Sequence, residues 1–332
     1  MKEDVTQQSH LIYLRDKIEC LNNILWERRL TGEKIDEWLS NFKNEGEKNA
    51  ALYLLSRFIF FNERCINMLV KSLYRDLYRY PIIASIRSNN GNTLDDGFIE
   101  SEFNKVLNQT LFACVGNSSE SSAHLHYQLR KQGRVAKNLF DYYVYDSKLK
   151  RRCVSRPITR CVFVDDFCGT GRQVSTDKKV VEVIDEVRTF FPSAKMSYYT
   201  LVATFDGLDH ARKSCVFDEV ESVIEMDNSF KCFSDISRIF NVDIPFEKTK
   251  VEQICKDHGK ELMKHFYTYV EDLTSNPTAF NKFVDKNALG FLDCQLLVGF
   301  HHNTPDNSLP IIWYAEDPQL WTPIFPRDNK IY

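Results

Sequence analysis

Two successive aspartates, Asp165 and Asp166, stand directly behind the apolar run Cys161-Val162-Phe163-Val164 and ahead of Phe167-Cys168-Gly169-Thr170-Gly171-Arg172-Gln173. The run reads as a buried strand, and the glycine turn behind it as the opening of a helix. Backbone N–H groups in such a turn, with the partial positive charge of a helix N-terminus, suit a phosphate. Gly169 and Gly171 let the backbone come close to it. Paired carboxylates are poor phosphate ligands. They accept hydrogen bonds from ribose hydroxyls, partner a Mg²⁺ ion or face a developing cation, and the residues alone leave these three open.

A second segment has related character. Leu111-Phe112-Ala113-Cys114-Val115 is followed by Gly116-Asn117-Ser118-Ser119-Glu120-Ser121-Ser122, and a helix is expected from about Ala123. Strand, small polar turn and helix make another place where backbone amides hold an anion. A serine run also fits a plain surface loop. Between the two turns, from Arg130 to Arg160, ten basic residues stand against Asp141 and Asp146. Such a stretch is a solvated loop, a lid over a diphosphate or a landing patch for nucleic acid.

The elements that must position these residues follow from periodicity. Leu11, Leu14, Ile18, Leu21 and Leu25 form one helical stripe, as do Ile35, Trp38, Leu39 and Phe42, and then Ile66, Leu69, Val70, Leu73 and Leu77. The last of these helices is expected to stop near Tyr80, because Pro81 disfavours helical geometry in the residue before it. Beyond it, strands are expected at Ile82–Ile86, Leu111–Val115, Cys161–Val164, Ser197–Ala203 and Gln295–Phe300. The run Tyr198-Tyr199-Thr200-Leu201-Val202-Ala203 is apolar on both faces, as strands of a covered parallel sheet require. A helical stripe of Val180, Val181, Ile184, Val187 and Phe191 lies between two of the strands, which makes a βαβ unit. The fold class is therefore α/β. A helical region over 1–80 precedes an α/β domain over 81–332, with a basic insertion at about 130–160 and a C-terminal tail rich in Asn and Trp.

Composition narrows the function. The 332 residues are 43% hydrophobic and 13% aromatic, enough for a sizeable core, which excludes a disordered or collagen-like chain. With 43 basic and 46 acidic side chains the formal charge is −3, which argues against a general nucleic-acid coat. The polar N-terminus lacks the apolar core of a signal peptide, and the stretch from Ala50 to Phe61, broken by Arg57, is too short to span a bilayer. A cytoplasmic protein without membrane contact is expected. None of the ten cysteines forms a Cys-x-x-Cys pair, so they read as reduced thiols and zinc is not expected.

The apolar strand, paired aspartates and Thr-Gly turn resemble the phosphoribosyl-diphosphate signature of type I phosphoribosyltransferases. The resemblance implies that sheet flanked by helices, with Asp165 and Asp166 on the ribose 2′- and 3′-hydroxyls. Phe167, Cys168, Gly169, Thr170, Gly171, Arg172 and Gln173 would then form the 5′-phosphate loop. The segment from Gly116 to Ser122 takes the position of that family's pyrophosphate loop, and Mg²⁺ is the implied metal. Where the family ends its loop Thr-Gly-Gly-Thr, this chain has Thr170-Gly171-Arg172-Gln173.

The C-terminus carries a more specific resemblance. Gly299-Phe300-His301-His302-Asn303-Thr304-Pro305-Asp306-Asn307, the tryptophans Trp313 and Trp321, and Phe325-Pro326-Arg327 are similar to the tail of phosphoribosyltransferase-like effectors from bacterial conflict and anti-phage loci, some of them retron operons. It implies a defence effector that acts on phosphoribosyl diphosphate or a nucleotide by ribosyl transfer or hydrolysis at ribose C1. The implied operon partners are a reverse transcriptase with its DNA and a DNA-binding subunit. A strand ending at Phe300 is expected to deliver Asn303 and Asn307 to the sheet edge that holds the aspartates. Asparagines also cap tight turns, so both roles stay open, while the tryptophans read as core.

Other classes compete. A non-catalytic nucleotide-binding or regulatory module fits the same residues, and the altered loop ending favours it. The turn also resembles the first motif of S-adenosylmethionine-dependent methyltransferases, but Asp166 stands where an apolar residue belongs and no Asn/Asp-Pro-Pro turn follows. A dinucleotide fingerprint fails at Val174, in place of the third glycine.

Overall fold

The computed structural model describes residues 2–115, 120–133, 135–140, 157–240, 246–266 and 276–327. Its strands are β1 (Ile59–Phe61), β2 (Thr110–Cys114), β3 (Arg160–Cys168), β4 (Lys195–Thr204), β5 (Glu219–Met226) and β6 (Val298–Phe300). They make two sheets, β1-β6 and β2-β3-β4-β5, with parallel pairing throughout. The chain is α/β, as its sequence predicts, and falls into two compact units: Arg64–Met226, and Met1–Glu63 together with Asp227–Tyr332.

In the discontinuous unit, α1 (Lys2–Ile24), α2 (Gly32–Leu39) and α3 (Glu45–Leu55) share one core with the C-terminal tail. Leu14 and Ile18 turn inward, whereas Leu25, past the end of α1, is exposed. Trp313 and Trp321 are core residues, as expected: Trp321 stands edge-on to Phe42, which meets Trp38 edge-on, and Trp313 packs edge-on against Phe266. Trp38 Nε1 donates to the Ile311 carbonyl (2.8 Å), and Asn41 exchanges two hydrogen bonds with the Thr322 backbone (2.9 and 3.0 Å). β6 pairs with β1, Ile59 opposite Val298. The tail thus completes the core of the N-terminal helices, and the division differs from a break at residue 80. Parallel pairing of β1 with β6 needs both ends of the chain in one unit.

In the other unit, α4 (Glu63–Ser72) runs into a π-helical segment, Leu73–Arg79, and on into α5 (Tyr80–Asn89). The expected strand at Ile82–Ile86 is therefore helix. Of that run only Ile82 is buried, so it lacks the double-sided burial that a central strand needs. Nor does the helix stop before Pro81. The Tyr80 N–H reaches back five residues to the Arg75 carbonyl, and Pro81 sits in the first turn of α5, where its missing donor is not required.

The four-stranded sheet carries a helical layer on each face. On one, Val180, Ile184 and Val187 of α9 (Lys178–Phe190; α6 is Asp96–Asn108, α7 Glu120–Gly133 and α8 Arg172–Thr176) pack on Ala113, Cys161, Phe163 and Tyr198. On the other, Tyr78 of the π segment meets Phe112 (centroids 5.1 Å apart). Gly133 puts α7 on that second face, because a Cβ there would come within 2.9 Å of the Tyr74 ring. Phe140 bridges to Phe112 on the outer side of β2, the side away from β3. The chain thus leaves β2 outward along one face and leaves β3 toward β4 along the other. Ligands of open α/β sheets bind at such a divergence, beyond the strands' carboxyl ends.

Candidate functional site

The β3 ladder does not end at Val164. It continues through Asp165 opposite Thr200, Phe167 opposite Val202 and Cys168 opposite Ala203. The aspartates are therefore strand residues, and their two carboxyls stay close enough to hydrogen-bond to each other. Asp165 falls with Phe163 and Tyr198 on the α9 face. Along the strand Asp166 is in phase with Val162 and Val164.

Asp165 is held from two directions. Its Oδ1 accepts the backbone N–H of Asp166 (2.9 Å), and its Oδ2 accepts the hydroxyl of Tyr198 (2.9 Å). Burial pushes the Asp165 carboxyl well above the usual carboxylate range; the neighbouring charge of Asp166 pushes it further, and the Tyr198 hydrogen bond pulls it back. Burial, then the charge of Asp165, raises the Tyr198 phenol well above its ordinary value, so the phenol remains a donor.

Behind the pair, Gly169-Thr170-Gly171 turns the chain into α8. Gly171 is left-handed (φ 66°), a conformation that favours glycine. Its Cα also lies against the next helix, α10 (Phe205–Lys213): a Cβ on Gly171 would come 2.2 Å from the Gly207 carbonyl oxygen, and one on Gly207 would come 2.5 Å from that of Gly169. Thr204 ties the same turn down. Its Oγ1 accepts the Gly207 N–H (2.9 Å) and donates to the Gly169 carbonyl. Packing alone thus calls for glycine at 171, whatever the turn binds.

A family model, PRTase-CE, matches residues 35–327. The chain belongs to this phosphoribosyltransferase-like family. The PRTase-CE match runs through both compact units, so the tail and the helices it packs against are as much part of the family's extent as the four-stranded sheet. No curated protein and no solved structure matches the chain.

Of the residues singled out in the sequence, Asp165, Asp166, Phe167 and Cys168 lie on β3, Gly169 to Gly171 form the turn, and Arg172 and Gln173 open α8 with exposed side chains. Glu120, Ser121 and Ser122 begin α7, one strand over, while Gly116, Asn117, Ser118 and Ser119 lie outside the described residues. Most of the basic stretch also lies outside them, including 141–156. The tail asparagines are not on the aspartate sheet. Asn303 follows β6 in the other unit, where its Oδ1 accepts the Thr304 N–H (2.9 Å), and buried Asn307 donates to Cys294 Sγ (3.3 Å). The expectation of a shared sheet edge fails because β6 pairs with β1. Sequence reasoning missed Tyr198, Thr204 and Gly207. The hydroxyl of a tyrosine in an otherwise apolar strand was the one available signal, since a buried phenol needs a partner.

Proposed function

We propose that the chain binds a phosphorylated ribose, as phosphoribosyl diphosphate or a nucleotide, at the carboxyl ends of β2 and β3, and transfers or hydrolyses the bond at ribose C1. One observation carries this reading: an acidic pair and a glycine turn occupy the point where β2 and β3 send the chain in opposite directions, in a phosphoribosyltransferase-like family. The turn at Gly169–Gly171 takes the 5′-phosphate, carboxylate charge takes the ribose hydroxyls, and the segment leading into α7 takes the diphosphate. Negative charge beside C1 offsets the oxocarbenium-like charge that develops as the leaving bond stretches.

The residues fit Mg²⁺ in a particular way. This ion is usually held by one or two carboxylates together with substrate phosphates, and among the described residues no group of three or more His, Cys, Asp or Glu gathers into a cage. Asp165 and Asp166 would meet it with the diphosphate, where it supplies charge neutralisation to the leaving group.

A second reading, a nucleotide-binding module without chemistry, draws on the exposed Arg172 and Gln173 in place of the family's loop ending. Binding of phosphoribosyl diphosphate with and without Mg²⁺, and pyrophosphate release, in the wild type and Asp165→Asn/Asp166→Asn separates the two. Metal-dependent binding with release, both lost in the variant, supports the enzyme. Binding without release in the presence of candidate acceptor bases supports the module, and absence of binding sinks both.

The tail motif supports a further role as an effector of a bacterial anti-phage system such as a retron, beside a reverse transcriptase with its DNA and a DNA-binding subunit. Such an effector works in the cytoplasm, and among the described residues no helix is long and apolar enough to cross a membrane. Toxicity on expression should vanish with a folded Asp166→Asn variant; persistent toxicity would count against a catalytic effector.

A further inference from the structure

We propose that a pocket between α1, α2 and α3 binds a small organic anion that also carries a hydrogen-bond donor, with Arg28 taking the negative group. Every residue that lines it belongs to Met1–Glu63, so the inference stands apart from the acidic pair and the glycine turn.

The pocket holds about 620 Å³, within the range of small-molecule sites. Its floor is apolar: Ile18, Leu30 and Leu52 are buried and Ile35 is half-buried. The Asn22 carboxamide lies at the same depth but is turned onto the chain itself, accepting the Leu30 N–H (3.0 Å) and donating to the Leu30 carbonyl (2.7 Å). Such a floor suits an apolar or planar body.

The lips carry the charge. Arg15, Glu19 and Asn23 follow at spacings of four along α1 and so share one side of the helix. Arg15 is neutralised by Asp36 (2.8 Å). Glu19, Asn23 and the Arg28 guanidinium, on the connection to α2, have no side-chain partner among the described residues. A guanidinium fork, a carboxylate and a carboxamide around an apolar floor match a ligand with a carboxylate or phosphate, an N–H donor and an apolar or planar body. Amino acids and nucleoside monophosphates share that chemistry.

The backbone at Arg28 points the same way. Glu27 and Arg28 are both left-handed, each at φ 56°, and neither is glycine. L-residues visit that region rarely and singly, at a cost that persists mainly where function requires it. Other contacts hold the turn. The Arg28 N–H donates to the Asn22 carbonyl (2.9 Å), and the Glu27 carboxylate accepts the Glu63 N–H (3.2 Å) and lies 2.8 Å from His301 Nδ1. Those contacts account for the side chain of Glu27. Among the described residues nothing uses that of Arg28, and glycine would suit its backbone better. A strained position that keeps a long charged side chain at the lip of a pocket is explained by what that side chain meets there.

Methyl NMR on the full-length chain tests this, reading Ile18, Leu30, Ile35 and Leu52 in the pocket, with Ile184 and Leu208 as controls in the other unit. The probes are free phenylalanine and leucine in one arm and AMP and UMP in the other. We expect one arm to shift the four pocket residues saturably, with half-saturation below about 1 mM. Arg28→Gly should weaken that binding about tenfold or more, the scale of a lost charged hydrogen bond, yet melt at or above the wild-type temperature. Glu19→Gln tells the sources apart: it should cost an amino acid, whose ammonium it faces, about tenfold, and a nucleotide no more than about threefold. The proposal is overturned if no probe moves the pocket residues at about 10 mM. Unchanged binding in Arg28→Gly overturns it too, as does a variant that melts below the wild type, since the arginine would then be structural. Shifts confined to Ile184 and Leu208 would put a nucleotide at the sheet edge instead and also count against the pocket.

Discussion

Gly171 and Gly207 meet backbone to backbone, so closely that a Cβ on the first would lie 2.2 Å from the carbonyl oxygen of the second. The glycine turn that looks in sequence like a phosphate cradle is thus also the seam between β3 and α10. Gly207→Ala should drive its methyl into the Gly169 and Cys168 carbonyls and displace the turn. We expect a loss of about 2–4 kcal/mol in denaturant unfolding, in the range of buried overpacking with backbone strain. An unchanged midpoint would mean that the seam is looser than these distances require.

Thr204 fastens the seam from the β4 side, as N-cap of α10 and donor to the Gly169 carbonyl. Thr204→Val keeps the shape and removes both bonds. Loss of the cap alone costs about 1 kcal/mol. The second loss should appear as faster amide hydrogen exchange at Gly207 and through Gly169–Gly171. Exchange that quickens only in the first turn of α10 would show that the carbonyl bond does not hold the turn.

Asp165 gives stability an unusual slope with pH. Its carboxyl titrates higher when folded than when unfolded, so the folded state binds more protons once pH exceeds about 4, and stability falls as pH rises toward the raised folded value. Asp165→Asn removes that slope while keeping an acceptor for Tyr198. Urea unfolding at several pH values between 4 and 8 should therefore show the variant gaining on the wild type as pH rises. A constant difference across the range would contradict the raised carboxyl.

Glu47 should do the reverse. Burial pushes its carboxyl up, but hydrogen bonds from His258 (3.0 Å) and the Lys43 N–H (3.0 Å), with the charges of both residues, leave it below its ordinary value. A lowered carboxyl stabilises the fold above its unfolded value and loses that contribution as pH falls through the folded one. Glu47→Gln should accordingly cost stability at pH 7 and little near pH 3, by the same unfolding measurement.

What sequence conveyed about the fold was whatever is local. Cys161–Val164 and Tyr198–Ala203 are apolar on both faces, a texture that covered parallel strands require, and with the glycine turn behind the first run this placed β3 and β4. The extension of β3 through two aspartates could not be placed in this way, because carboxylates in a strand are unfavourable until a partner such as Tyr198, 33 residues on, is in register. Register between strands has no local signature. The same reason hid the pairing of Ile59–Phe61 with Val298–Phe300, three residues on each side and separated by most of the chain. It also sent Asn303 and Asn307 to the wrong sheet in the sequence reading. Ile82–Ile86 misled for the opposite reason: a short apolar run beside a proline fits strand and first-turn helix equally, and only one-sided burial distinguishes them.

The interlock between tail and N-terminal helices makes the two ends of the chain interdependent. The Ile311 carbonyl accepts two indole donors, Trp38 Nε1 at 2.8 Å and Trp321 Nε1 at 3.1 Å, and so uses both of its lone pairs. Trp321 also stands edge-on to Phe42 (5.4 Å) and beside the ring of His258 (5.3 Å). Trp321→Ala removes a nearly fully buried indole, for which a cost of about 3–5 kcal/mol is expected. Trp321→Phe restores most of the ring and leaves Trp38 to satisfy the carbonyl, so it should recover more than half of that loss. The effect should also reach residues far away in sequence. Hydrogen exchange in α2 and α3 should quicken in Trp321→Ala, since their core is completed by the tail, while β3 and β4, in the other unit, should keep their protection. Uniform quickening across both units would mean that the chain unfolds as one block rather than as two.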